Sequence, residues 1–342
     1  MSDDTDALVR QLLERSLSAD RAPEAAPGPD DLYFASAADA EQSVSRTSAG
    51  ARYLRAVAEH VADDANGVCG GASDFFNLAV EFERHSDPRS ALIVARRGLR
   101  LHPASCSLLS AALRAATECG DHDACEGLVA QARDIDEGLW SARLYLRVVQ
   151  YYQDRVGELP DACECALEAA RAYERRYPFE DKAYDEHACT LIAMGRVDEA
   201  SALLHKVIFG TVGPDDNDQR SIAAPCCCVT YIDKILASRS DRAAYEEIIR
   251  VARKGVQFTA ETQPSVNIGA LLYRDAEAQD ALICSYGSGH DGFANEGRVR
   301  EALRTYRCAY QLCGDPDYRG TIRTRYLILS TQSGVTDEPL ES

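Results

Sequence analysis

Residues separated by 34 positions match in character along one stretch of this chain. Phe75 falls on Leu109, Ala79 on Leu113, Phe82 on Ala116, Ala95 on Val129 and Gly98 on Ala132. Small or apolar residues therefore recur wherever two helices would touch. A period of this length corresponds to one helical hairpin. A single hairpin cannot bury its apolar face, so it must stack on neighbours. The expected product is an array with a long binding face rather than a compact pocket.

The pattern continues beyond the first pair. Turns are expected at Ser86-Asp87-Pro88, where Pro suits the first turn of a helix, and at Gly120-Asp121 and Gly195-Arg196. Pro103 and Pro178 lie 75 residues apart, and so do Gly120 and Gly195. Two periods of 34 fall short of this spacing, so the third hairpin carries surplus residues. They fit either in its first helix, around Tyr151-Tyr152, or in the turn at Gly157. With that allowance Ala91, Cys125, Ala166 and Ala200 share the close-contact place on the second helix of each hairpin.

The chain divides into five segments. Residues 1–48 are acidic and rich in Pro and Ala, with a short amphipathic helix around Leu8–Leu17, and are expected to be poorly ordered. Residues 49–71 form a leading helix and a break. Residues 72–209 hold four hairpins. Residues 210–332 hold irregular helical repeats, interrupted by a polar loop at 210–221 and a Gly-rich loop at 287–297. A last helix caps the stack with a polar outer face. Residues 333–342 are a loose tail.

Phe75, Leu78, Ala79, Phe82, Ala91, Ala95, Gly98 and Pro103 in the first unit resemble the tetratricopeptide repeat (TPR) family. So do Tyr184, Ala188, Leu191, Gly195, Ala200, Leu204 and Val207 in the fourth. The resemblance implies an all-α fold, a right-handed superhelical α-solenoid of antiparallel helix pairs. It also implies a non-catalytic scaffold that binds a protein or peptide through the concave face formed by the first helices. A peptide- or ligand-responsive regulator acting through a protein partner is the alternative. Some members clamp a terminal carboxylate with Lys and Asn. Here Phe76 and Val80 occupy those places, so the clamp is not expected.

The candidate binding residues on the first helices are Asn77, Arg84, Ser110, Arg114, Arg143, Arg147 and Tyr151. Guanidinium groups pair carboxylates through two contacts, so the four arginines suit an acidic segment of a partner. The competing reading is that each Arg pairs with a neighbour, Glu83 and Glu118 being the nearest.

Charge and motifs exclude other classes. The net charge of −18 repels phosphate backbones, so no nucleic acid partner is expected. No apolar run approaches the roughly 18 residues of a membrane span, and the acidic N-terminus is unlike a signal peptide. A cytoplasmic location follows. The 13 cysteines, Cys226-Cys227-Cys228 included, read as reduced packing residues. Cys119, His122 and Cys125 supply only three local ligands, and Asp215-Asp216-Asn217-Asp218 lacks calcium-loop spacing. No metal, cofactor or catalytic site is expected.

Overall fold

A computed structural model describes residues 55, 57–63, 70–159, 161–262, 267–286, 292–313, 316–335 and 340. The expected disorder of residues 1–48 and the amphipathic helix at Leu8–Leu17 lie outside them. The regular structure of the described residues is helical, with two isolated β-bridges and no strand among them. By contacts the chain forms two units, Met1–Asp154 and Arg155–Ser342.

The first unit contains α1 (Ala72–Arg84), α2 (Pro88–Leu101), α3 (Cys106–Cys119), α4 (His122–Arg133) and α5 (Ala142–Asp154), preceded by a helical segment at 57–62. Local chemistry sets the turns. Pro88 opens α2, and the Asp87 carboxylate accepts from the Ser90 N–H at 3.1 Å. Between α3 and α4 only two residues intervene. Gly120 takes the left-handed conformation at φ 66°, and Asp121 then caps α4 by accepting from the Ala124 N–H at 3.0 Å. Turns this short fold consecutive helices back antiparallel.

Packing follows the period. Phe75, Leu109, Ala79, Leu113, Phe82, Ala116, Ala95, Val129 and Ala132 are all buried. Helices α1 with α2, α2 with α3, and α3 with α4 are neighbours, and the first helices α1, α3 and α5 also stack in series. The first helices thus meet both the next helix and the next but one, as a helical-repeat array requires. The helix starts Ala72, Cys106, Ala142 and Asp181 are spaced 34, 36 and 39 residues. α5 has 13 residues, like α1. The surplus therefore lies in the connections: a 3₁₀ turn at Glu137–Leu139 and the stretch 155–161, where Gly157 has φ 93°.

The second unit contains α6 (Ala162–Arg176), α7 (Asp181–Ala193), α8 (Val197–Phe209), α9 (Pro225–Thr230), α10 (Arg242–Thr262), α11 (Asn267–Tyr286), α12 (Gly292–Leu312) and α13 (Pro316–Ser333). α9 continues as a π-helical turn, Tyr231–Leu236. Alternate helices α7, α9, α11 and α13 stack in series here too. α9 has no cap from its own preceding residue. The Asp181 carboxylate on α7 accepts from the Cys226 N–H at 2.7 Å and the Cys227 N–H at 3.1 Å, capping α9 from a different helix. Burial holds the Asp181 carboxyl above its usual range despite these bonds. Cys227 and Cys228 are buried, and burial pushes the Cys228 thiol up to about 12, so it packs as a small hydrophobe.

Two expectations need correction. α12 already runs from Gly292, so helix occupies half of the segment read as a Gly-rich loop. The last helix leaves Leu327 and Ile328 exposed, so its outer face is not wholly polar. In the first case helix pairing overrides local propensity; nothing in the fold explains the exposed Leu327 and Ile328.

Gly98 and Gly127 separate packing from propensity. A Cβ on Gly98 would meet Phe75 Cβ at 2.7 Å and Leu108 Cδ1 at 2.9 Å, whereas one on Gly127 meets nothing within 4 Å. Gly98→Val is expected to cost about 3 kcal/mol in urea unfolding, through overpacking against Phe75 Cβ, which cannot rotate away. Gly127→Ala, exposed in mid-helix, is expected to add about 1 kcal/mol. Equal effects at the two positions would contradict the close contact at Gly98.

Candidate functional site

The first helices of the N-terminal unit bring their charged side chains together around one carboxylate. Glu83 is on α1, and its side chain is only 6% exposed. Arg114 on α3 reaches it with Nη1 3.1 Å from Oε2, and donates through Nε to Glu118 at 2.9 Å. From α5, Arg147 and Arg143 lie close enough to act on the same carboxylate electrostatically. Arg143 also sits over the Phe76 ring of α1, 5.9 Å from its centroid, and Arg147 donates to the Gln150 side chain at 2.8 Å. Glu83 Oε1 is buried and has no hydrogen-bond partner among the described residues.

The balance of forces on Glu83 is unfavourable to its charge. Burial pushes its carboxyl above the usual range; Arg114 opposes this most, Glu118 adds to it, and Arg147 and Arg143 oppose it further. A buried carboxylate with an unpaired oxygen is costly even beside a guanidinium.

The sequence-derived candidates separate into three groups. Arg114, Arg143 and Arg147 converge as described. Arg84 is exposed and tied to Glu81 one turn earlier. Ser110 and Tyr151 are buried, and Asn77 is half-buried. Ser110 shares a stripe with Arg114, four residues on, but its side chain is too short to emerge between stacked helices. Tyr151 shares a stripe with Arg147 and turns inward against Tyr152, centroids 5.1 Å apart. The pairing of Arg114 with both Glu83 and Glu118 is the competing arrangement the sequence offered. The role of Phe76 has no signal in the sequence. The residue that breaks the carboxylate clamp is the ring beneath Arg143.

Among the described residues no group of three or more His, Cys, Asp or Glu is arranged to hold a metal ion. Among them also, no helix is long and apolar enough to cross a membrane.

No family model matches the chain, and no curated protein matches it. Among solved structures it is similar to a thermophilic TPR protein of Thermus thermophilus, at 15% identity and a TM-score of 0.38, covering 76% of this chain and 100% of that one. It is also similar to a circular tandem repeat protein with novel repeat topology, at 13% identity and a TM-score of 0.18, covering 97% of this chain and 67% of that one. The assignment of the fold as a repeat of antiparallel helix pairs rests on the helix pairing itself.

Glu83 links stability to pH. A carboxyl whose folded value is raised binds its proton more tightly in the native chain than in the unfolded one. Its contribution therefore falls as pH rises from the ordinary value of 4.5 through the raised one. Glu83→Gln is expected to lose less stability than the natural protein as pH rises above 4.5. Its melting point at neutral pH should not drop, since Arg114 keeps Glu118. A large drop at neutral pH would show that the Arg114 contact outweighs burial.

Proposed function

We propose that the protein is a non-catalytic scaffold and that the stacked first helices of its N-terminal unit hold an extended segment of a partner protein. The segment carries an acidic side chain that lands on Arg143 and Arg147. The observation that supports this most is the convergence on one face of guanidinium groups from α3 and α5 over a phenylalanine ring from α1. A ring beneath Arg143 holds the guanidinium plane in place before a ligand arrives, which lowers the ordering cost of binding. Arg143 and Arg147 are four residues apart on α5, so they stand one turn apart on the same side.

Arg114 contributes less. It is already shared between two glutamates, so an incoming carboxylate would have to displace one of them. The binding energy would come from α5, with α3 fixing its surroundings. A reducing, cytoplasmic setting suits the free thiols of the described residues. The net charge of −18 disfavours nucleic acid as the partner. It also restricts acidic ligands to places where basic side chains gather, and Arg143 and Arg147 are such a place.

The test is titration of the full chain with acetyl-Glu-Leu-Glu-Leu-Glu-amide and its lysine counterpart. The acidic peptide should bind more tightly, and added salt should weaken it. Reversing both charges with Arg143→Glu and Arg147→Glu should weaken it by about tenfold or more, the equivalent of one lost charge-assisted contact. Affinity unchanged by the double reversal rejects this face as the binding surface.

A further inference from the structure

The C-terminal unit contains a cleft of about 670 Å³ lined by the π-helical end of α9, the start of α10, α11 and Arg325 of α13. That volume lies within the usual range of small-molecule sites, so it has room for a long side chain and its neighbouring backbone. Much of its wall is apolar: Ile232, Ala237, Tyr245, Ile248, Ala278 and Ala281.

Its charged residues are almost fully matched from within. Arg274 holds Asp233 with two contacts, Nε at 2.7 Å and Nη2 at 3.2 Å. Arg239 holds Asp241 in the same two-point way, at 3.1 and 3.2 Å. Glu277 accepts from the Tyr273 hydroxyl at 3.1 Å and has Arg325 at 3.7 Å. Asp280 differs from these. It is one turn from Glu277 on the same side of α11, and no cation lies against it among the described residues. Its donors are the Cys284 thiol at 3.3 Å, a weak donor, and the Tyr306 hydroxyl at 3.4 Å, a long contact, and both are neutral. Among the described residues, one carboxylate in a partly apolar cleft is thus left without a counter-charge.

The backbone beside the cleft is unusual as well. The Ala237 N–H bonds the Ile232 carbonyl at 2.9 Å, a five-residue step that makes this turn π-helical. π-Turns inside helices recur at functional sites, and this one places Ile232 and Asp233 in the cleft wall.

We propose that this cleft takes the basic side chain, lysine or arginine, of an extended peptide, with its cationic end on Asp280 and its aliphatic stem along the apolar wall. The stem and the charge match the two halves of the lining, and a charge-assisted bond is strongest where water is partly excluded. The acidic balance of the whole chain draws basic segments toward it. The site is independent of the arginine face: it lies in the other unit and selects the opposite charge.

The experiment titrates the full chain calorimetrically with acetyl-Leu-Lys-Leu-amide, acetyl-Leu-Arg-Leu-amide, acetyl-Leu-Glu-Leu-amide and spermidine. Both basic tripeptides should bind at least tenfold more tightly than the glutamate one. Asp280→Asn should weaken them at least tenfold. Ala281→Trp, which fills the cleft and leaves Asp280 in place, should abolish binding. Melting curves establish that each variant is folded, and Ala281→Trp decides the matter if Asp280→Asn is not. Arg147→Glu should leave these affinities unchanged, so failure here is distinct from failure of the N-terminal face. The proposal is overturned if the basic tripeptides do not bind, if the glutamate peptide binds as well, or if either folded cleft variant retains full affinity. Binding of spermidine alone overturns the peptide as occupant.

Discussion

A short helical hairpin has more apolar surface than it can cover by itself, and the rest of the structure depends on that deficit. α1 buries Phe75, Leu78, Ala79 and Phe82, yet α2 faces only part of that surface. The remainder is covered by α3, which leaves its own far side for α5. Close approach needs small residues where the axes cross. Gly98 lies so near Phe75 and Leu108 that even one added methyl group would collide with them. Interiors packed at this density transmit strain, so spacing along the chain is under tighter control than identity. That is why the offset of 34 holds from the first hairpin to the second while the residues at each place change from Phe to Leu or from Gly to Ala.

Stacking also creates the electrostatic problem at Glu83. Once α1, α3 and α5 are in register, polar side chains on their shared face are forced into proximity. Most resolve this by pairing at the surface, as Arg84 does with Glu81, at little net gain or cost. Glu83 is too deep for that. Arg114 satisfies one of its oxygens and leaves the other without a partner. A buried charge that a helical repeat does not need for folding is a local conflict of the kind found at functional sites. It places a carboxyl whose charge is disfavoured at the centre of the face, with the α5 arginines close enough to act on it.

How much of this could be read from the sequence follows from the range of each interaction. The core of α1 to α4 was legible because its signal repeats and because each contact lies within about one period. The Gly120-Asp121 turn was legible since cap and counter-cap are adjacent. Arg114 with Glu118 follows from i,i+4 spacing, and Arg114 with Glu83 from the stacking of α1 on α3. Burial of Ser110 and Tyr151 was not legible, because a stripe on a helix says which way a side chain leaves and not whether its tip clears the neighbours. The cap on α9 was invisible for another reason. Asp181 stands 45 residues before the N–H group of Cys226, and nothing local marks the two as partners.

That long-range cap explains two of the three consecutive cysteines, Cys227 and Cys228. A helix of six residues that starts at Pro225 has too few internal hydrogen bonds to hold itself, and its first N–H groups need an acceptor. Asp181 supplies one only if α9 can approach α7 closely, which a large residue at 227 or 228 would prevent. Cysteine is small enough to be buried there and apolar enough to favour it. Gly255 on α10, whose Cβ would lie 3.1 Å from the Cys228 sulfur, completes the same close crossing from the other side. Lys182, one residue along α7, neutralises Asp185 at 2.6 Å and Glu186 at 3.1 Å, which keeps the acidic face of that helix buried beside the cap. Small thiols, a distant carboxylate and a half-buried lysine thus do for the irregular half of the chain what the alanine and glycine pattern does for the regular half.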